Sequence, residues 1–257
     1  MKKALFGFLL IGLIGFTACD PDDDQPLNQT PRLSLVFTPY FNDAEVQIAE
    51  RFINDDGYPI DIHNLAFYMS NMELIQEDGT GLPLSDIEII DLRNMHRTVT
   101  FDVPSGEYAG IRFDLGVPAE LNSPANPEFS IGAFDADHPL SESNGMFWDW
   151  QGGYRFFSID GHCDTIPNTG NFLPLSFGLH SGLDSLYRVL PDFDYPFQIT
   201  HSDTKVISFG INLNTFFRNG DSHIDLKYER QFHGSPNMLD LGSKIANNSA
   251  ASFEIRN

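Results

Sequence analysis

Hydrophobic and polar positions alternate over much of this chain, and the alternation has the two-residue period of strands with one buried face. RLSLVFTPYF, residues 32 to 41, predicts a strand, and so do LAFYMSNMELI at 65 to 75 and residues 87 to 92. GTGLPLS between them reads as a turn. VTFDVPSGEYAGIRFDLGVP predicts two strands around Pro104-Ser105-Gly106. Residues 119 to 144 carry Pro, Asn, Ser and Asp without a period, and are expected to form a long loop. A strand is expected from Tyr154 to Ile159, turning at Asp160-Gly161. FLPLSFGLH at 172 to 180 alternates again, shorter strands fit 186 to 190 and 197 to 200, and KVISFGINL at 205 to 213 is clearer. Leu213 to Phe217 suits a short helix, and Ala251 to Ile255 a last strand. Many short strands between turn signals predict an all-β fold, an antiparallel β-sandwich or partly open barrel with long inserted loops. Such a fold spans residues 32–257 as a single domain.

The N-terminal end breaks this pattern. Lys2 and Lys3 precede an apolar run from Ala4 to Phe16, then Thr17-Ala18-Cys19. Basic residues, a short apolar core and small residues form a secretory signal, and the run is short for a membrane span. Ending on cysteine, it resembles a bacterial lipoprotein signal, with residues 1–18 removed and Cys19 lipidated. DPDDDQPLNQTP follows, too acidic and proline-rich to pack, so residues 19–31 read as a flexible tether. An acidic run after the lipidated cysteine resembles the export signal of Bacteroidetes surface lipoproteins. The expectation is an outer membrane lipoprotein held by its N-terminal lipid.

Charge narrows the partners. The chain carries a formal net charge of -21, which argues against nucleic acid as a partner. Beyond Cys19 only Cys163 remains, so no internal disulfide is expected and Cys163 reads as a buried thiol. No phosphate-binding glycine loop, HExxH or GxSxG occurs, and no nucleophile, base and orienting group stand together, so the protein is not expected to be an enzyme.

Rare side chains concentrate in GMFWDWQGGYRFFSIDGHCD, residues 145 to 164, which holds both tryptophans. Trp148 and Trp150 share one side of an extended strand and can simply pack in a core. GHCD lacks the spaced companions of a zinc signature. Imidazole, thioether, thiolate and a modified aromatic are, however, together ligands suited to copper. A site using His180, with His63 or His138 and help from Met146 or Trp148, is chemically sensible.

Four segments sharpen this reading: NLAFYMSNMEL (64 to 74), FDVPSGEYAGIRFDLGVPAELN (101 to 122), DADHPLSESNGMFWDWQGGYRFFSIDG (135 to 161) and LPLSFGLHSG (173 to 182). In this order they resemble the MbnP-like family, copper-binding proteins named for a partner encoded beside methanobactin copper-chelator genes. The resemblance implies copper bound through histidines and a tryptophan oxidised to kynurenine, the oxidation being performed by a di-haem partner related to MauG-type peroxidases. It makes Trp148 or Trp150 the candidate for modification. It makes His180 the first metal ligand, with His63 and His138 behind it. The family's histidine two residues after the modified tryptophan is missing, since Trp148 is followed by Asp149 and Trp150, and Trp150 by Gln151 and Gly152. The competing expectation is a non-catalytic glycan- or protein-binding surface module, its exposed tryptophans stacking on sugars or anchoring a partner.

Overall fold

The computed structural model describes residues 30–94, 97–122, 134–148, 153–166 and 172–256. Cys19, the tether up to Gln29, Trp150 and part of the 119–144 loop lie outside the described residues.

The strands, in chain order, are β1 (Arg32–Phe41), β2 (Ala44–Glu45), β3 (Arg51–Ile53), β4 (Pro59–Gln76), β5 (Gly81–Asp91), β6 (Thr98–Asp102) and β7 (Gly106–Leu115). Then follow β8 (Phe147–Trp148), β9 (Gly153–Tyr154), β10 (Phe157–Cys163), β11 (Leu175–Ser181), β12 (Arg188–Val189), β13 (Phe193–Ile199) and β14 (Thr204–Asn212). The helix α1 (Leu213–Phe217) precedes β15 (Arg218–Asn219), β16 (Ser222–His223) and β17 (Gln231–His233), and α2 (Leu239–Ala251) precedes β18 (Phe253–Arg256).

Two sheets pack face to face. The smaller runs β18-β14-β1-β2, with β6 also on β1; the larger runs β12-β7-β4-β10-β11-β17, with β13 on β7 and both β3 and β5 on β4. Leu33, Leu35 and Phe37 alternate inward from β1. Phe37 stacks on Phe209 of its own sheet at 5.2 Å and meets Phe67 and Phe113 of the other sheet edge-on at 5.5 and 6.2 Å. Phe253 closes the same group. Offset and edge-on rings fill an inter-sheet gap closely, which is where the chain's abundant phenylalanine goes. Cys163 lies in this core, fully buried.

The sandwich expected from the alternation is present, with refinements. Two pairings are parallel, β1 with β14 and β11 with β17. The two strands flanking Pro104-Ser105-Gly106 do not pair with each other: β6 joins β1 in one sheet and β7 joins β4 in the other. GTGLPLS is mostly strand. The turn lies one step earlier, where Asp78 Oδ1 accepts from Thr80 N and Thr80 Oγ1, and Leu82 and Leu84 pack on the core. The chain does not turn at Asp160-Gly161; β10 runs through both residues to Cys163.

β4 organises the larger sheet. Along one edge it pairs first with β10 and then with β7. The handover falls at Tyr68, whose N–H donates to Phe156 O (3.0 Å) and whose carbonyl accepts from Gly116 N (2.9 Å). Around it lies a second buried cluster with Met146, Tyr154 and Phe156. The hydroxyls of Tyr68 and Tyr154 donate to Pro139 O and Leu140 O, each at 2.9 Å, pinning the DHPL segment over the sheet.

Candidate metal centre

Register builds the site. On β10, Ser158, Asp160 and His162 point away from the core, two residues apart. Antiparallel β11 sets His180 opposite Ser158 and Gly178 opposite Asp160. Parallel β17 then sets His233 beside His180 and Gln231 beside Gly178. Three strands thus bring Ser158, His180 and His233 into one cross-strand row, with Asp160, Gly178 and Gln231 in the next. Gly178 keeps the space open, because a Cβ there would sit 3.0 Å from Asp160 Oδ1 and 3.1 Å from His233 Cε1.

Hydrogen bonds fix what each imidazole presents. His180, 4 % exposed, donates from Nε2 to Asp160 Oδ1 at 2.6 Å. His233 Nε2 donates to Gln231 Oε1 at 2.8 Å. The orientation of that amide is set by Gln231 Nε2, which donates to Ser176 O. Both rings therefore carry their proton on Nε2 and turn an Nδ1 lone pair inward, and the two Nδ1 atoms lie 2.9 Å apart. Two lone pairs at that distance repel unless a proton or a cation lies between them. In a tetrahedral site with bonds of about 2.0 Å, neighbouring nitrogens stand about 3.3 Å apart, so a small opening of the pair seats a metal.

The electrostatics of the pair are uneven. His233 is held below the ordinary imidazole value, first by burial, then by His180, with Arg155 adding to it against the opposing charge of Asp160. Burial pushes Asp160 upward, but hydrogen bonds from His180, Asn64 (2.6 Å) and Ser158 (3.2 Å) outweigh it and hold the carboxyl below its ordinary value. An ionised carboxylate behind a histidine is the outer-shell partner that orients a ligating ring and raises its basicity.

Trp148 closes one side. It pairs with Gly153 in the β8–β9 hairpin, is fully buried, and lies 6.2 Å from the His180 ring, with the Arg155 guanidinium 5.8 Å over its own. Gly182 permits this, since a Cβ there would meet Trp148 Cζ3 at 2.6 Å and Tyr154 O at 2.5 Å.

The expected ligands separate. His180 is in the pair, and Trp148 borders it. His63 is on the same sheet face but belongs to another group, its Nε2 lying 2.9 Å from Asp61 Oδ1 beside His162. Members of both groups, His63 and His162 with His233, line one cavity of about 260 Å³. His138 stacks on Phe134 at 4.1 Å and its Nδ1 accepts from Leu140 N, so it shapes the DHPL segment instead. Met146 is buried in the Tyr68 cluster, among side chains that pack. Sequence reasoning missed His233, Gln231 and Asp160 as a set. Alternation in SIDGH puts Asp160 and His162 on one face, but nothing in QFH announces that it docks parallel to β11, 53 residues away.

An MbnP family model matches residues 30–237. A solved structure, MbnP from Methylosinus trichosporium, is similar at 19 % identity, covering 74 % of this chain and 78 % of that chain with a TM-score of 0.48. Among curated proteins nothing matches the chain. The family match runs across the strands of the site, from β4 to β17, and the chain belongs to the MbnP family.

Proposed function

We propose that this protein binds copper between His180 and His233, as part of a methanobactin-related copper-handling role. One observation carries the reading: the buried imidazole of His180 and the exposed imidazole of His233, each bonded through Nε2, face each other through Nδ1 atoms 2.9 Å apart. Paired neutral imidazoles beside an aromatic wall suit copper better than the oxygen-seeking cations. Membership of the MbnP family supports the same role. The role is binding, not catalysis.

Trp148 is the residue we assign to oxidation, because its ring borders His180 while Gly182 keeps that approach open. A di-haem peroxidase of the MauG type is the oxidant in this reading, and a lipid on Cys19 holds the protein at the outer membrane. Full burial of Trp148 speaks against its use as a sugar-stacking platform, which needs an exposed ring face.

The test is copper titration of the purified protein, wild type against His180→Ala and His233→Ala. Wild type is expected to bind one copper per chain tightly, with each substitution weakening binding by about 100-fold or more. Unchanged affinity in either variant would remove that residue from the site. Peptide mapping of protein from its native envelope reads Trp148 directly, as the mass of tryptophan or of kynurenine.

A further inference from the structure

His63 and His162, which line the same cavity, belong with Asp61 to a second set of donors. Asp61 and His63 lie on β4, and His162 on β10 directly opposite Asp61. His63 Nε2 lies 2.9 Å and His162 Nδ1 3.3 Å from Asp61 Oδ1. One donor atom from each residue falls within 4.8 Å of the other two.

A bulge creates this grouping. Asp160 pairs with Asn64 and Gly161 with Ile62, so His63 is the extra residue on β4. A bulge places two consecutive residues on one face and redirects their side chains. Here Asn64 turns to Asp160 while His63 turns to Asp61 and His162. Without the extra residue, the alternation that serves Asn64 would send His63 into the core.

Asp61 is anchored as a ligand. Its Oδ1 also accepts from the backbone N–H of His162 at 3.0 Å, and its side chain is only 16 % exposed, whereas His63 and His162 are 45 % and 47 % exposed. The result is one anchored oxygen and two imidazoles open to solvent, on a chain of net charge -21 that concentrates cations at its surface.

We infer that Asp61, His63 and His162 form a second metal site, separate from the His180–His233 pair, which takes a borderline divalent cation of the zinc type with water completing its shell. Two imidazoles and a carboxylate with open positions suit such an ion. The partial exposure of both histidines makes the site exchangeable, loaded and emptied without unfolding. The inference does not rest on the copper reading, since the donors differ.

The experiment is zinc titration of the purified full chain by calorimetry, with histidine ring resonances followed by NMR. Wild type, His162→Gln and the double variant His63→Gln/His162→Gln are compared, and copper binding is measured on the same three proteins. Wild type is expected to shift the ring signals of His63 and His162 on adding zinc. His162→Gln is expected to weaken that step by about 100-fold, and the double variant to lose one zinc equivalent while keeping its copper. Both histidines are exposed, so all three proteins are expected to share one unfolding midpoint. A double variant with the zinc stoichiometry and affinity of wild type overturns the inference. So does a wild type whose His63 and His162 signals ignore zinc, whatever the copper result.

Discussion

Asp160 has no direct line to the space between the two Nδ1 atoms, yet the state of His180 depends on it. Its Oδ1 accepts from His180 Nε2, while Oδ2 accepts from Asn64 and Ser158. Replacing it by Asn keeps an oxygen for the bond but removes the charge that raises ring basicity. Copper affinity of Asp160→Asn is expected to fall by about 10- to 100-fold, with the unfolding midpoint moving little. A titration at neutral pH reads this, and a wild-type affinity would mean the carboxylate only packs. Cys163 gives the opposite kind of residue, titratable but without a task. Burial raises its thiol from the ordinary 9.0 to about 11. The unfolded chain therefore loses this proton near pH 9 and the folded chain does not. Stability is expected to be unaffected by Cys163 below pH 9 and to fall between pH 9 and about 11. Cys163→Ser should flatten that decline, and thiol reagents should react with native protein only as fast as it opens.

At the scale of elements, the β11 end and the β8–β9 hairpin are locked through one missing side chain. Gly182 follows β11, and a Cβ there strikes the carbonyl of Tyr154 and the indole of Trp148. Backbone cannot move aside as a flexible side chain can. Gly182→Ala is expected to cost about 1–3 kcal/mol in denaturant unfolding and to shift tryptophan emission as Trp148 is displaced. Unchanged emission and midpoint would show that the hairpin yields freely. Elements of this sort divide what could be read from the chain. Strands with one wet face, such as β1 and β14, announce themselves by period, and α1 is bounded as its short apolar run suggests. α2 was illegible because its buried face includes Gly242, Asn248 and Ser249 beside Leu241 and Ile245, which dilutes the helical stripe. Asn248 is buried to donate to Phe216 O and Ser222 O, a tertiary reason that no local pattern carries. The candidate site was half legible for the same reason. His180 stands in a segment with its own signature, whereas His233 owes its place to a three-residue strand whose partner is distant in sequence. His63 was read as a metal ligand alongside His180, but the bulge that turns it to Asp61 is a property of pairing.

For the molecule as a whole, the site is a tie between parts that the chain visits far apart. β10 and β11 are central to the larger sheet, while β17 adds only three paired residues at its edge and leads into α2 and the final strand β18. So short a strand is weakly held by its own ladder, and the His180–His233 contact joins the Gln231–Ser176 hydrogen bond in tying it to β11. An ion between the two rings would add two metal–nitrogen bonds and fasten this edge. Because such an ion would bind only the assembled sheet, it is expected to stabilise folding by mass action. At free copper 100-fold above the dissociation constant, the gain is expected to be about 2.7 kcal/mol. Amide exchange should show where it acts, with protection rising at Phe232 and His233 and along Gly178 to His180, and little change in the β1–β14 core. His233→Ala should abolish both the added stability and the local protection while leaving the distant sheet as it was. Equal protection across both sheets, or a midpoint that ignores copper, would mean that the ion sits elsewhere than on this edge.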